Sequence, residues 1–246
     1  TVKLADFKVF TFDCYGTLID WESGIGTALQ PLLARVQGVS RDAALECFAR
    51  HESAQQAETP RMLYTELLAV VHRRIAREWG VTVSEDEHRR FATSLPNWPA
   101  FPDSTAALQE LKRRYLLVIL SNVDRAGFAA SNRRLNVVFD AVFTAEDIGS
   151  YKPDLGNFRY LLDRLAEQGL ARDQILHTAQ SLFHDHVPAK QIGLATAWID
   201  RRGAARGSGA TPAPAASARY DLRFESLAAM AHAVREELAG NRFTAG

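Results

Sequence analysis

FKVFTFDCYGTLIDWE, residues 7–22, is the stretch on which the fold turns. Its first six residues form an apolar run too short for a helix, which predicts a buried strand over residues 7–12. The run ends in Asp13, followed by a turn of Cys14, Tyr15, Gly16 and Thr17. The plain structural use of such a carboxylate is an Asx turn. A Gly and a Thr directly after it, on so apolar a strand, point instead to chemistry.

Working outward, residues 115–120 and 174–178 read as two further strands, and 141–144, 195–199 and 220–222 as weaker ones. Polar turns and segments of helical period separate them. That alternation predicts an α/β fold, a Rossmann-like core with a mostly parallel sheet covered by helices. Residues 23–95 break the pattern, with helical pieces at 23–36, 41–57, 60–79 and 84–95 and no convincing strand. The third carries Met62, Leu67, Leu68, Val70, Val71, Ile75 and Trp79 at helical spacing and stops at Gly80, a suitable C-cap. The three prolines of LPNWPAFPDS, 95–104, end the helical region, with Ser104 as the N-cap of the next helix. The expected organisation is a core domain of residues 1–20 and 100–246 with an inserted helical cap domain of residues 21–99. Residues 201–219, rich in Gly, Ala, Pro and Ser, read as a surface loop with solvated arginines.

Lys plus Arg and Asp plus Glu both number 29, so no global field recruits nucleic acid or an anionic membrane, and a small molecule is the expected partner. The only cysteines, Cys14 and Cys47, make no disulfide framework and favour a reducing setting. Without a leader pattern or a run long enough to span a bilayer, the chain reads as soluble and cytoplasmic.

In an open parallel sheet, ligands bind beyond the carboxyl ends of the strands. Four polar clusters fall there: Asp13–Thr17, Ser121 with Asn122, Lys152 in SYKPD, and Asp185 in AQSLFHDHVPA. Each has a plain alternative. Ser121 and Asn122 could cap the helix beginning DRAGFAAS, Lys152 could be solvated, and Asp185 could cap a helix starting near Val187 and Pro188.

In order and spacing, FDCYGTLID, LSNVD, SYKPD and the segment ending in Asp185 resemble the four motifs of the haloacid dehalogenase superfamily. The resemblance implies Asp13 as nucleophile, Thr17 bonded to its carboxylate, and Ser121 and Asn122 holding the substrate's anionic group. It implies Lys152 as the charge beside Asp13 and Asp185 as the residue positioning Lys152 or the hydrolytic water. Phosphatases of the superfamily carry an acid two residues after the nucleophile and a magnesium-binding acid in the fourth motif. Here those places hold Tyr15 and Gln180. The chain therefore looks like the L-2-haloacid dehalogenase branch, which implies no metal and no cofactor, a covalent ester on Asp13, and a small carboxylate such as a 2-haloacid as substrate.

Tyr15, Gln180 and His184 are then expected to shape the pocket. That branch uses a cap arginine as halide acceptor, for which Arg50 is the candidate, with Arg61, Arg73 and Arg74 as alternatives. Phe158, Gln180, Leu182 and His184 depart from the branch's usual residues. His184, Asp185 and His186 cannot all face one ion from a helix start, so they form no metal site. Other readings are a magnesium phosphatase, a hydrolase of another small acid such as a strained cyclic amine, and a binding module without turnover. Dimers are frequent in the branch, and the apolar face at 67–71 is a possible contact, although core packing is its ordinary use.

Overall fold

The computed structural model describes residues 2–203, 208–213 and 218–243, with the side chains of 241–243 left aside. Six strands, β1 (Val9–Phe12), β2 (Leu116–Ser121), β3 (Ala141–Thr144), β4 (Ile175–Ala179), β5 (Ala195–Ile199) and β6 (Leu222–Phe224), form one sheet in the order β3-β2-β1-β4-β5-β6. Every neighbouring pair is parallel. Parallel strands covered on both faces need apolar residues on both, which is why β1 and β2 read as mostly apolar runs. On one face Val9, Val118, Leu120 and Ile175 pack against Phe158, Leu161 and Leu165. Phe10, Phe12, Leu117, Ile119 and Leu176 belong to the larger cluster on the other face, with Leu108, Leu111, Leu227 and Met230.

Between β1 and β2 the chain builds α1 (Trp21–Leu33), α2 (Arg41–Glu58), α3 (Tyr64–Glu78), α4 (Glu85–Ala92) and α5 (Ser104–Leu111). It then continues through α6 (Arg125–Leu135), α7 (Ala145–Ile148), α8 (Leu155–Ala166), α9 (Val187–Gln191) and α10 (Leu227–Phe243). The helical insertion leaves and rejoins the sheet layer at one place. There Ile19 bridges Ala100, Asp20 N–H donates to Pro99 O at 2.8 Å, and Phe101 N–H to Leu18 O at 3.0 Å.

Helix boundaries follow local chemistry. Asp20 caps α1 by accepting Ser23 N–H, so this helix starts two residues before the expected position. Gly80, at φ +68°, closes α3, with its N–H on Arg77 O and the next N–H on Ala76 O, a Schellman arrangement. Ser104 is not the cap of α5, since Asp103 occupies that position and the Ser104 hydroxyl instead donates to Leu18 O at 2.7 Å. Leu67, Leu68, Val71 and Ile75 are buried in the chain's own core, so the stripe of α3 is not a free face for a second copy. The expected surface loop at 201–219 lies partly outside the described residues. Its first arginine is not solvated: Arg201 pairs with Asp103 at 2.8 Å and donates twice to Thr17 O, holding the turn after β1. Among the described residues no helix is long and apolar enough to cross a membrane.

Candidate active site

The strand order reverses at β1, whose neighbours β2 and β4 lead away in opposite directions, so a crevice opens beyond its carboxyl end. Asp13, the first residue past β1, stands in that crevice. Gly16 takes φ +91° in the following turn, and a Cβ there would stand 2.9 Å from Trp21 Nε1, so the turn requires glycine. The turn brings Thr17 Oγ1 back to donate to Asp13 Oδ2 at 2.8 Å, while the same oxygen accepts Gln180 N–H at 2.9 Å.

Lys152 is almost fully buried and arrives from the loop after α7. Its ammonium donates to Asp13 Oδ1 at 3.0 Å, Asp185 Oδ1 at 2.7 Å and Leu120 O at 2.9 Å. A buried ammonium with three acceptors is fully satisfied, which is the condition for placing it there. Its backbone is braced by Asn122, whose Nδ2 donates to Lys152 O at 3.0 Å and whose Oδ1 accepts Lys152 N–H at 2.7 Å. One Asn122 N–H and its Oδ1 are thus engaged by the protein, and Asn122 also lines the cavity. Ser121 is buried and its hydroxyl has no partner. Neither residue caps α6; Asp124 does, accepting Gly127 N–H at 2.7 Å with one oxygen and Thr65 of α3 with the other.

Asp185 lies in a π-helical turn, Leu182–His186, before α9, and it is not the helix cap. Besides Lys152 it accepts from His177 Nε2 at 2.9 Å. Thr11 and His177 are register partners in adjacent parallel strands, so their side chains meet on one face, with Thr11 Oγ1 2.7 Å from His177 Nδ1. The Phe158 ring meets the His177 ring edge-on at 5.2 Å. By sequence pattern His177 is only a residue of an apolar strand. Its one visible signal is a polar ring opposite a polar Thr in otherwise apolar strands.

The two carboxylates around Lys152 are driven apart. Burial and the negative charge of Asp185 push Asp13 above the usual aspartate range, against the pull of Lys152. Burial acts on Asp185 as well, but there the ammonium and the His177 hydrogen bond outweigh it and hold the group well below that range. Asp185 is then a permanent anion, and Asp13 is the more basic and more nucleophilic partner. Asp185 Oδ2 is buried without a partner, an acceptor left for a water.

The cavity above Asp13 is narrow, with about 30 Å³ open to the centre of a water-sized sphere, so it suits only a small molecule. Lys152, Asp185, Asn122, Val123, Tyr15, Ser181 and His184 line it from the sheet side, and Trp21, Glu52, Gln56 and Tyr64 from the insertion. Tyr15 presents its ring, because its hydroxyl is tied to Ser131 at 2.6 Å and Gly127 O at 3.3 Å on α6. His184 hydrogen-bonds Ser181 through Nδ1 at 3.1 Å, and its buried Nε2 has no partner.

Two expected pocket residues stand elsewhere. Arg50 is exposed on α2 and pairs with Glu78 at 2.9 Å, because its turn of the helix faces α3 and solvent. Arg73 and Arg74 form surface pairs with Glu85 and Glu58, and Arg61 is exposed, so none of the four candidates reaches the cavity. Gln180 turns its side chain away, where Oε1 accepts from Thr211 at 3.1 Å, and only its backbone serves the site, through Thr17.

Glu52 and Gln56 are pocket residues that the motifs do not mark, although the sequence carries a signal for them. The buried stripe of α2 begins Ala44, Leu45, Phe48 and continues at the same spacing as Glu52, Gln55 and Gln56.

Residues 7–177 match the sequence pattern of the haloacid dehalogenase-like hydrolases. The chain is 30% identical over 210 residues to an (S)-2-haloacid dehalogenase of Pseudomonas sp. strain YL, covering 80% of this chain and 84% of that protein. The chain belongs to the haloacid dehalogenase superfamily. Within it the L-2-haloacid dehalogenase branch is the one it joins, and (S)-2-haloacid dehalogenase H-109 of Pseudomonas putida is 28% identical over 216 residues, 82% of this chain and 89% of that one. Among solved structures, the L-2-haloacid dehalogenase of Xanthobacter autotrophicus with chloropropionic acid covalently bound superposes with a TM-score of 0.73 at 18% identity, over 93% of this chain and 98% of that one. A defluorinating L-2-haloacid dehalogenase gives 0.74 at 23% identity, over 93% and 95%. At such identities these two likenesses speak for the fold alone.

Two histidines beside Asp185, His184 and His186, are buried in this chain. Burial lowers His184 and His186 to about 4, from the 6.5 of a free imidazole. Both stay neutral in the folded chain while the unfolded chain binds protons below pH 6.5, so acid favours unfolding. Stability should fall as pH drops from about 6.5 toward 4, by up to roughly 3 kcal/mol for each histidine. Urea midpoints measured every half unit between pH 7 and 4.5 check this. A flat profile would mean that the imidazoles accept protons in the folded chain.

Proposed function

We propose that this protein is a hydrolase that uses Asp13 as a nucleophile against a carbon of a small 2-substituted carboxylic acid, forming an ester that water then cleaves. The supporting observation is the pair of buried carboxylates sharing one ammonium, with the more basic of the two facing a small cavity. The reading carries with it a core of residues 1–20 and 100–246 under a cap of residues 21–99. The names of the curated relatives point to short 2-haloacids as the substrate class.

In the first step an Asp13 oxygen displaces the C2 substituent in line, with Thr17 and Lys152 each holding one carboxylate oxygen. In the second, water attacks the Asp13 carboxyl carbon, which returns the original Asp13 oxygen to the product as its hydroxyl. The open Oδ2 of Asp185 and the unpartnered Nε2 of His184 are the groups available to orient that water. Lys152 offsets the charge that develops on the ester oxygen. Phosphate monoester hydrolysis fits less well, since Tyr15 cannot donate a proton from a hydroxyl tied to α6, and the Gln180 side chain is turned away.

Single turnover in H₂¹⁸O, with enzyme in excess over (S)-2-chloropropionate and over small ring acids in parallel, tests this. Label should enter the Asp13 side chain, read by peptide mass, while the first product hydroxyl stays unlabelled. Label appearing directly in the product with Asp13 unlabelled would show that water attacks the substrate and that Asp13 is no nucleophile.

A further inference from the structure

Among the described residues, the cap side of the cavity offers a departing halide no cation. Among the described residues that line it, Lys152 is the sole cation, and its ammonium already serves two carboxylates and a carbonyl. The acidic residue that the insertion contributes is Glu52, 1% exposed, one helical turn before Gln56. Its Oε1 accepts from the Tyr64 hydroxyl at 2.5 Å, and its Oε2 is buried with no partner. A carboxylate left this way in an apolar wall of Trp21, Tyr64 and Val123 holds its proton. Burial, with the negative charge of Asp13 added, pushes Glu52 up to about 8, against the pull of the Tyr64 hydrogen bond. The other titratable groups on this cavity are Tyr15, Lys152, His184 and Asp185.

We infer that Glu52 is a general acid that protonates the leaving atom, and that the substrate's leaving group is a basic nitrogen or oxygen, as in a strained cyclic acid, rather than a halide. The inference rests on Asp13 being the nucleophile. An Asp13 oxygen bonds to the carbon, the C–N or C–O bond breaks with its electron pair on the heteroatom, and the Glu52 proton goes to that atom. When water cleaves the ester, one of its protons goes to the product hydroxyl and the other returns to Glu52, so atoms and charge balance. A halide needs no such proton; an amide or alkoxide leaving group does.

The discriminating experiment compares the wild type with Glu52→Gln on three probes: (S)-2-bromopropionate, azetidine-2-carboxylate and oxirane-2-carboxylate. The wild type should open at least one ring acid faster than it displaces bromide, and its rate on that acid should fall above about pH 8 as Glu52 loses its proton. The Gln variant should lose ring opening at least 30-fold more severely than bromide release, and the alkaline limb should vanish from what remains.

Stability separates this from misfolding. The folded value lies above the 4.5 of a free glutamate, so the contribution of Glu52 to stability is present below that value and lost as pH rises through about 8. The Gln variant should therefore unfold at higher temperature than the wild type at pH 8.5. Bromide released faster than either ring opens, or equal losses on all three probes, would overturn the role given to Glu52 while leaving Asp13 as nucleophile. Asp13 unlabelled by ¹⁸O with every probe would remove the reading beneath it as well.

Discussion

Replacing Asp13 by Asn should lower turnover by roughly 10⁴-fold or more while leaving the fold at least as stable as before. The first half follows from the chemistry, because an amide is a poor nucleophile and no other described carboxylate in the cavity can replace it. Asp185 is held by Lys152 and His177, and Glu52 by Tyr64. The second half follows from the sign of the Asp13 shift. Its folded-state value lies above the usual aspartate range, so the charged side chain weakens the folded state once pH rises through that value. A neutral Asn of the same shape removes that penalty, keeps a hydrogen bond from Thr17, and leaves the Lys152 ammonium with Asp185. Steady-state kinetics and thermal unfolding at pH 7.5 decide the matter together. Intact turnover would remove Asp13 from the reaction, and a collapse in stability would make it a structural residue first.

The candidate nucleophile is legible in the amino-acid sequence, and the cap wall of its pocket is marked only by the stripe of α2, for a physical reason. Asp13, Thr17, Lys152 and Asp185 each follow a strand or a short connection, and a parallel sheet brings such positions to one edge whatever the details of packing. Strands β1 and β2 are legible as mostly apolar runs, which at this length have few other uses, whereas β6 (Leu222–Phe224), with Arg223 exposed at its centre, overlaps the expected 220–222 at one residue. Glu52 and Arg50 differ by two positions on one helix, about 200° of rotation, so the choice between them depends on the angle at which α2 lies over the sheet. Nothing local to ECFARHESAQQ sets that angle. The same limit applies to Gln180, whose side chain is drawn away by Thr211, 31 residues further along. His177 is hidden differently, because its partner Thr11 becomes a neighbour only when the strand register is known.

Lys152→Met should cost less turnover than Asp13→Asn but far more stability, because it removes charge from both steps and from the fold. Methionine fills the buried volume without an ammonium, and Asp13 and Asp185 then face each other with no cation between them. Turnover should fall by roughly 10²- to 10³-fold, the effect typical of deleting a preorganised electrostatic partner of the developing oxyanion. Stability at pH 7.5 should fall by about 3–5 kcal/mol, the loss expected when one partner of a buried ion pair is removed.

The pH dependence distinguishes this from a simple packing defect. Without Lys152, the strongest influence lowering the proton affinity of Asp13 is gone, so the two carboxylates share a proton to higher pH. The acid limb of the residual activity should move upward. Asp13 and Asp185 would then have folded-state values above their unfolded ones, so the stability of the variant should recover as pH falls through that window, until the buried histidines reverse the trend below about 6.5. Unfolding curves at pH 8.5, 7.5 and 6.5 read this directly. A variant equally unstable at all three would show that Lys152 acts there by filling space, and that its charge does not govern the two carboxylates.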